Sequence, residues 1–243
     1  HCTYCIIPKV RGNFRSVPME RLIKEAEELA RRGVKDLILV AQETTLYGKD
    51  IYGEKSLHKL LKELCRISGI HWIRILYCYP EAITDELIQV MKEEPKICNY
   101  LDLPIQHASD GVLKRMGRRT TKQELTDIIG KLRKEIPDIC LRTTLITGFP
   151  GETDEQHEEL MEFINIMQFD RLGVFTYSPE EDTPAAVMPD QIDEKVKEER
   201  QADLMELQQD IVFENAQNLI GREMLVMSEG KVADENAYVG RTY

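Results

Sequence analysis

The sequence has 243 residues, 42% hydrophobic and 31% charged, enough to bury a sizeable core as one domain or as one domain plus a small appendage. Its formal net charge of −11, from 43 acidic against 32 basic side chains, argues against a general polyanion binder, because nucleic-acid affinity rests on phosphate neutralisation by Lys and Arg. No apolar run approaches the roughly 18 residues of a membrane span and the first residues resemble neither a signal nor a transit peptide, so no membrane partner is expected and the cytoplasm is the expected location.

The chain opens "HCTYCIIPKVRG", a CxxC formed by Cys2 and Cys5 with an aromatic residue just before the second cysteine. A bare CxxC fits half of a structural zinc site, a redox pair or part of an iron–sulfur ligand set. A zinc site wants a second Cys or His pair, and none recurs. A redox pair wants a helix start after a strand, and Pro8 is expected to stop a helix running cleanly here. A cluster usually needs more than two cysteines close in sequence. The first residue is not Met, so the expectation is a chain that starts inside a larger protein. Cys65, Cys78, Cys98 and Cys140 lie within apolar runs and read as small core residues, since six scattered cysteines are too few for a secreted disulfide scaffold.

From there one unit recurs: an amphipathic helix, a Gly or Pro break, and a short apolar strand. Leu22, Ile23, Ala26, Leu29 and Ala30 repeat at helical spacing, Gly33 suits a left-handed cap, and a strand is predicted over 36–40. The pattern returns in "SLHKLLKELCRISGI" before "HWIRILYCY", and in "DELIQVM", capped by Thr84, before "YLDLPI". The basic run from Leu113 to Arg119 reads as a solvated helix end. Thr121 with Glu124 forms a capping box opening a helix up to Ile136, followed by the strand "ICLRTTLITG"; Thr153 with Gln156 repeats the device before "LGVFTYS". Five strands alternating with helices predict parallel strands joined by right-handed crossovers, in a barrel-like or an open doubly wound sheet, with the site at the strands' carboxyl ends. After Pro189 the composition shifts to one long charged helix, with Leu204, Leu207, Ile211, Val212 and Leu219 near helical spacing and Gly221 ending it. Two short strands follow, too short to fold alone.

The opening motif and the stretches "LVAQETTLYG", "YLDLPIQHASDGVLKRMGRR", "LRTTLITGFPGET" and "RLGVFTYSPEEDTPAA" followed by "MPDQI" together resemble the methylthiotransferase branch of the radical S-adenosylmethionine enzymes, from His1 to about Leu219. The resemblance implies an α/β fold, a partial parallel (βα) barrel at 1–190, with a connecting helix at 191–220 and the start of a small OB-like TRAM domain at 221–243. It also implies a first barrel strand, and a domain with three further cysteines for a second cluster, before His1. The opening then corresponds to the tail of CxxxCxxC, with His1 the third spacer residue and the first cysteine three positions before it. Cys2 and Cys5 are accordingly two of three thiolates on a 4Fe-4S cluster whose open iron takes the amino and carboxylate groups of S-adenosylmethionine. One-electron reduction of that cofactor gives methionine and a 5′-deoxyadenosyl radical. The implied cofactor contacts are Tyr4 beside the cluster, Gln42 and Glu43 ending the first strand, Gln106 after the third, Arg142 and Gly148 on and after the fourth, and Tyr177 closing the last. Arg142, charged in an apolar run, needs a partner, either a cofactor carboxylate or Asp102; His107 is expected to be structural.

Within the branch, "YLDLPIQHAS", "FDRLGVFTYSPEEDTPAA" and the closing "GRTY" are most similar to members that add a methylthio group to the β-carbon of an aspartate in a small-subunit ribosomal protein, the twelfth of that subunit. That implies a ribosomal protein substrate and a flavodoxin-like electron donor, with no direct RNA substrate. The enzymatic alternative is the tRNA-modifying branch, which wants a basic face. The non-enzymatic one is a catalytically incomplete scaffold that docks a ribosomal protein; the sequence as it stands is expected to be inactive without the missing cysteine and domain.

Overall fold

A computed structural model describes residues 2–243, and His1, with the spacer role expected of it, lies outside the described residues. The opening cysteine turn runs into a five-residue helix, α1 (Ile7–Arg11), with Pro8 in its first turn. The expected interruption therefore does not occur, because a proline in the first turn lacks only an N–H that has no intrahelical acceptor. α2 (Met19–Arg31) and β1 (Asp36–Leu39) follow, with Gly33 between them at φ +90°. α3 (Leu57–Cys65) leads to β2 (Trp72–Ile75), and Thr84 accepts from the Leu87 N–H to start α4 (Asp85–Glu93). β3 (Ile97–Asp102) begins earlier than "YLDLPI" suggests and ends at Asp102, before Pro104. Next come α5 (Asp110–Arg115), which the sequence presents only as a basic run, and α6 (Lys122–Glu135), opened by the expected capping box. β4 (Cys140–Thr147), α7 (Asp154–Met167) with the second capping box, β5 (Arg171–Thr176), α8 (Glu194–Gln217), β6 (Met227–Lys231) and β7 (Tyr238–Arg241) complete the order.

The five strands β1 to β5 form one parallel sheet in strictly sequential order, and β6 pairs with β7 in a separate antiparallel hairpin. A doubly wound sheet reverses its strand order at a switch point; this one never does, which is the arrangement of an open partial barrel. β4 displays the two faces directly: Leu141, Thr143, Leu145 and Thr147 are buried, whereas Cys140, Arg142, Thr144 and Ile146 alternate with them and remain half-buried. The buried face packs on the helices through Leu61, Leu64, Ile73, Ile75, Leu101 and Phe163, among others. The opposite face is the concave interior, where Phe175 is 61% exposed.

The expected charged strut, α8, buries Leu204 and Ile211 of its apolar stripe together with the polar Lys197, Arg200 and Gln208, while Leu219 lies beyond the helix and is exposed. The polar members are used: Gln201 Nε2 donates to the Val174 carbonyl at 2.7 Å and Gln208 Nε2 to the Phe169 carbonyl at 2.8 Å. The helix thus covers the free edge of β5. The β6–β7 hairpin meets the opposite end of the sheet, where Arg241 pairs with Asp36 at 2.6 Å and Tyr243 donates to Asp138 at 2.9 Å. No helix among the described residues is long and apolar enough to cross a membrane.

Candidate functional site

The cysteine turn is pinned to loops at the carboxyl ends of the strands by the residue between its two thiols. Thr3 N–H donates to the Met116 carbonyl at 2.9 Å and its hydroxyl to the Arg115 carbonyl at 2.8 Å, while the Ala185 N–H donates to the Thr3 carbonyl at 2.9 Å. Cys2 and Cys5 are half-buried, unbridged, and joined by a Cys5 N–H to Cys2 carbonyl bond of 3.3 Å. The remaining cysteines differ in kind. Burial pushes the Cys65, Cys98 and Cys140 thiols up to about 11, and Cys78 well above its ordinary value, so all four stay protonated and are poor ligands at neutral pH. Among the described residues no three His, Cys, Asp or Glu side chains converge on one metal position. The turn brings two half-buried thiols to one place.

Around this turn lies an aromatic row. Tyr4 meets Phe149 edge-on with ring centres 6.3 Å apart, and Phe149 meets Tyr177 at 5.2 Å. Burial holds the Tyr4 phenol well above its usual range, with Cys2 adding to the effect and Arg118 opposing it. Tyr4, Gln106, Thr144, Ile146 and the segment 175–178 line a pocket of about 180 Å³.

Several buried polar groups facing these loops are left with unused hydrogen-bonding capacity. Glu43, 7% exposed, accepts through Oε1 from the Thr45 N–H at 2.9 Å and from the Thr45 hydroxyl, but its Oε2 is buried without a partner. Gln106 sits at φ +72°, unusual for a side chain that large; its backbone bonds to Thr144 and Ile146 extend β4's ladder, and its Oε1 is unpartnered. Tyr177 has an unpartnered buried hydroxyl. Arg118, which belongs to the basic run expected to be solvated, is buried. Its Nη2 donates to the Pro104 carbonyl at 3.2 Å, its guanidinium lies 4.5 Å above the Tyr79 ring, and Nε and Nη1 are unpartnered. Burial works against its charge, yet Tyr4, Glu81, Cys2 and Tyr79 together raise its pKa. Leaving such groups unpaired costs on the order of 1–3 kcal/mol each, so their concentration at one mouth marks a place prepared for a polar ligand. These groups suit a ligand with an N–H donor for Glu43 and a carboxylate for Arg118, beside the two thiols of the turn.

The other expected site residues are exposed or already have protein partners. Gln42 is exposed, beside Glu43 but outside the buried set. Arg142 is engaged by Asp102, Nη1 to Oδ1 at 3.1 Å, on the concave face rather than among the unpaired groups. Gly148, at φ +69°, owes its identity to a protein neighbour: a Cβ there would lie 2.2 Å from Lys197 Cγ. Lys197 in turn donates to the Tyr177 carbonyl at 2.9 Å. His107 is fully buried and accepts through Nδ1 from the Ser109 N–H at 3.0 Å, while its Nε2 lies 3.9 Å from Glu152 without a hydrogen-bond partner.

Burial raises the Glu43 carboxyl from 4.5 to about 7, against hydrogen bonds from Thr45 that lower it. The folded state therefore binds more protons than the unfolded chain between those two values, and stability falls as pH rises through that window. A melting series on the ligand-free chain should show a Glu43→Gln variant losing less stability than the parent between pH 5 and 7.5, by roughly 2–3 kcal/mol, since each tenfold change in proton affinity is worth about 1.4 kcal/mol. Parallel pH profiles for the two proteins would contradict the assignment.

The sequence model described as "Radical SAM superfamily" matches residues 1–164. Of the curated relatives, the ribosomal protein uS12 methylthiotransferase RimO of Lachnoclostridium phytofermentans is 66% identical over 243 residues, covering 100% of this chain and 55% of that protein. The protein of the same name from Clostridium perfringens is 58% identical over 242 residues, covering 100% of this chain and 54% of its own length. The chain thus spans about half the length of the curated relatives it matches. Among solved structures, the radical S-adenosylmethionine methyltransferase TsrM from Kitasatospora setae, with cobalamin and [4Fe-4S] cluster bound, superposes with a TM-score of 0.63 at 18% identity, over 77% of this chain and 36% of that one. Coproporphyrinogen III oxidase (HemN) from Escherichia coli gives 0.58 at 17% identity, over 84% of this chain and 48% of that one. At such identities the structural likeness speaks for the sequentially ordered open barrel alone, and the sequence match covers the cysteine turn and four of the five barrel strands: this chain belongs to the radical SAM superfamily.

Proposed function

We propose that the chain is the catalytic core of a radical methylthiotransferase that adds a methylthio group to the β-carbon of an aspartate in ribosomal protein uS12. The observation that carries this reading is 66% identity along the whole chain to a protein named as a ribosomal protein uS12 methylthiotransferase, and the aspartate β-carbon is what the motif resemblance adds. In this reading Cys2 and Cys5 are two of the three thiolates on a 4Fe-4S cluster. Glu43 would accept from an N–H of the S-adenosylmethionine amino group, Arg118 would pair with its carboxylate, and Gln106 and Tyr177 would offer their unused polar atoms to the adenosine half. Tyr4, wedged between the thiols and Phe149, keeps water from the thiolate side. The bound cofactors supply what side chains lack, a carbon radical strong enough to take hydrogen from an unactivated C–H bond.

The charge of −11 supports a basic protein partner over direct tRNA binding, since opposite charge speeds encounter and like charge opposes it. A flavodoxin-like donor supplies the electron, the location is cytoplasmic, and residues 221–243 begin a second, β-rich domain. The test offers the anaerobically reconstituted full-length protein both uS12 and tRNA, and reads the products by mass spectrometry. A methylthio mass gain on uS12 is expected; a gain on tRNA alone would move the chain to the tRNA-modifying branch.

A further inference from the structure

The concave face of the sheet carries one row of charge that the cofactor site does not use. Asp102 on β3 and Arg142 on β4 are register partners, and Arg142 is in turn the register partner of Arg171 on β5. Partners in register share a face, so an aspartate and two arginines stand side by side across three strands. The row holds a surplus of positive charge inside a chain whose net charge is −11. Asp102 is 1% exposed and immobilised from two directions: its Oδ2 accepts from the Tyr77 N–H at 3.2 Å, and its carbonyl from the Cys78 N–H at 2.8 Å. It holds Arg142 by one nitrogen alone, Nη1, while the Arg142 side chain keeps 41% of its surface open. The Arg171 guanidinium meets only the carbonyl of its own neighbour, Asp170, and is exposed. Among the described residues Arg142 has no carboxylate partner besides Asp102, and Arg171 has none.

Their position relative to the site is set by the strand. Thr144 and Ile146, which line the 180 Å³ pocket ending at Tyr4, lie on the same face of β4 as Arg142. Two residues of strand separate Arg142 from Thr144, about 6–7 Å. We propose that Arg142, held by Asp102 and flanked by Arg171, receives the carboxylate of the substrate aspartate and so presents the adjacent β-carbon to the pocket. This rests on the methylthiotransferase reading above and deepens it: the row explains how one carboxylate-bearing residue of a protein is selected over its amide. A guanidinium fork suits a carboxylate because it offers parallel N–H donors in a fixed plane, and the half that Asp102 leaves open is aimed from a rigid strand.

The test is a double-substitution cycle on binding, with full-length reconstituted enzyme and two forms of uS12, one intact and one with the accepting aspartate changed to asparagine. The unsubstituted enzyme should favour the aspartate form by about tenfold or more, the size of one charge-assisted hydrogen bond at a desolvated site. Arg142→Gln should shrink that preference to within about twofold. Arg171→Gln, a change at an exposed edge position that leaves the Asp102 pair intact, should reduce it partway, and Arg142→Lys should restore part of it. A purely structural pair would weaken both forms of uS12 equally and leave their ratio untouched. An undiminished ratio in both glutamine variants therefore overturns the proposal, as does an unsubstituted enzyme that binds the two forms alike. An enzyme that binds neither form and modifies tRNA instead rejects the functional reading itself, and the pair's role with it.

Discussion

Cys2→Ala and Cys5→Ala in the full-length protein are each expected to lose about half of the iron retained after anaerobic reconstitution, with a matching drop in brown absorbance, because the second cluster implied by the resemblance keeps its own three cysteines. A cluster held by three thiolates has no spare ligand, and the neighbouring side chains offer no substitute: among the described residues no other Cys, His, Asp or Glu set converges on the turn. Cys65→Ala is the matched control. Its thiol is buried in α3 and pushed up to about 11 by burial, so it neither reaches the turn nor ionises at neutral pH. Iron content per chain and the visible spectrum are the measurements. Full iron in Cys2→Ala, or its loss in Cys65→Ala, would show the ligand assignment to be wrong.

The second large effect is on stability, and it originates where α8 meets the loop after β4. Glu152 is 2% exposed. It accepts from the Phe149 N–H at 3.0 Å, and Arg200 Nη1 lies 3.3 Å from its Oε1. Arg200 also donates to the Glu152 carbonyl at 3.1 Å and to Asp154 at 2.7 Å. Burial alone would raise the Glu152 carboxyl, but His107, Arg200 and the Phe149 N–H outweigh it and hold it below its ordinary value. Arg200→Leu leaves that carboxylate buried without its cation, which costs about 3–5 kcal/mol. In a chain this size that lowers the melting temperature by about ten degrees, at roughly 2–4 °C per kcal/mol. Because the folded pKa is depressed, the pair's contribution is present above the ordinary carboxylate pKa and is lost as pH falls through the folded value. The gap between parent and variant should accordingly narrow in acid. A loss below about 1 kcal/mol at pH 7 would mean that the pair is no better than a surface ion pair. The consequence reaches the site, since the same loop carries Gly148 and Phe149, which seat Lys197 and the aromatic row.

Most of the element order is legible along the chain because the signals are short-range. The Thr84, Thr121 and Thr153 caps each close a hydrogen bond three residues away, and the helical spacing of Leu22, Ile23, Ala26 and Leu29 is a property of one helix. The thiol pair of the opening motif is legible for the same reason. A local rule applied too broadly fails, as at Pro8, which a first helical turn tolerates. The basic run over 113–119 misleads in the opposite sense. Arg118 and Arg119 are neighbours of identical type, yet one is buried over Tyr79 and the other is exposed, and nothing within the run distinguishes them.

Sequence alone therefore specified the alternation of helices and parallel strands, the thiol pair, and Glu43 and Gln106 as polar residues following strands, in loops a few residues past the strand ends, since each depends on residues within a few positions of one another. The tertiary structure decided which polar atoms meet. Gly148 faces Lys197 49 positions away; Asp102 meets Arg142 across 40 residues, and Arg142 meets Arg171 only through strand register. Arg200 reaches Glu152 only because α8 folds back over the last strand. These contacts are set by packing and register between elements distant in sequence, where a slip of one residue would turn every side chain of a strand to the other face.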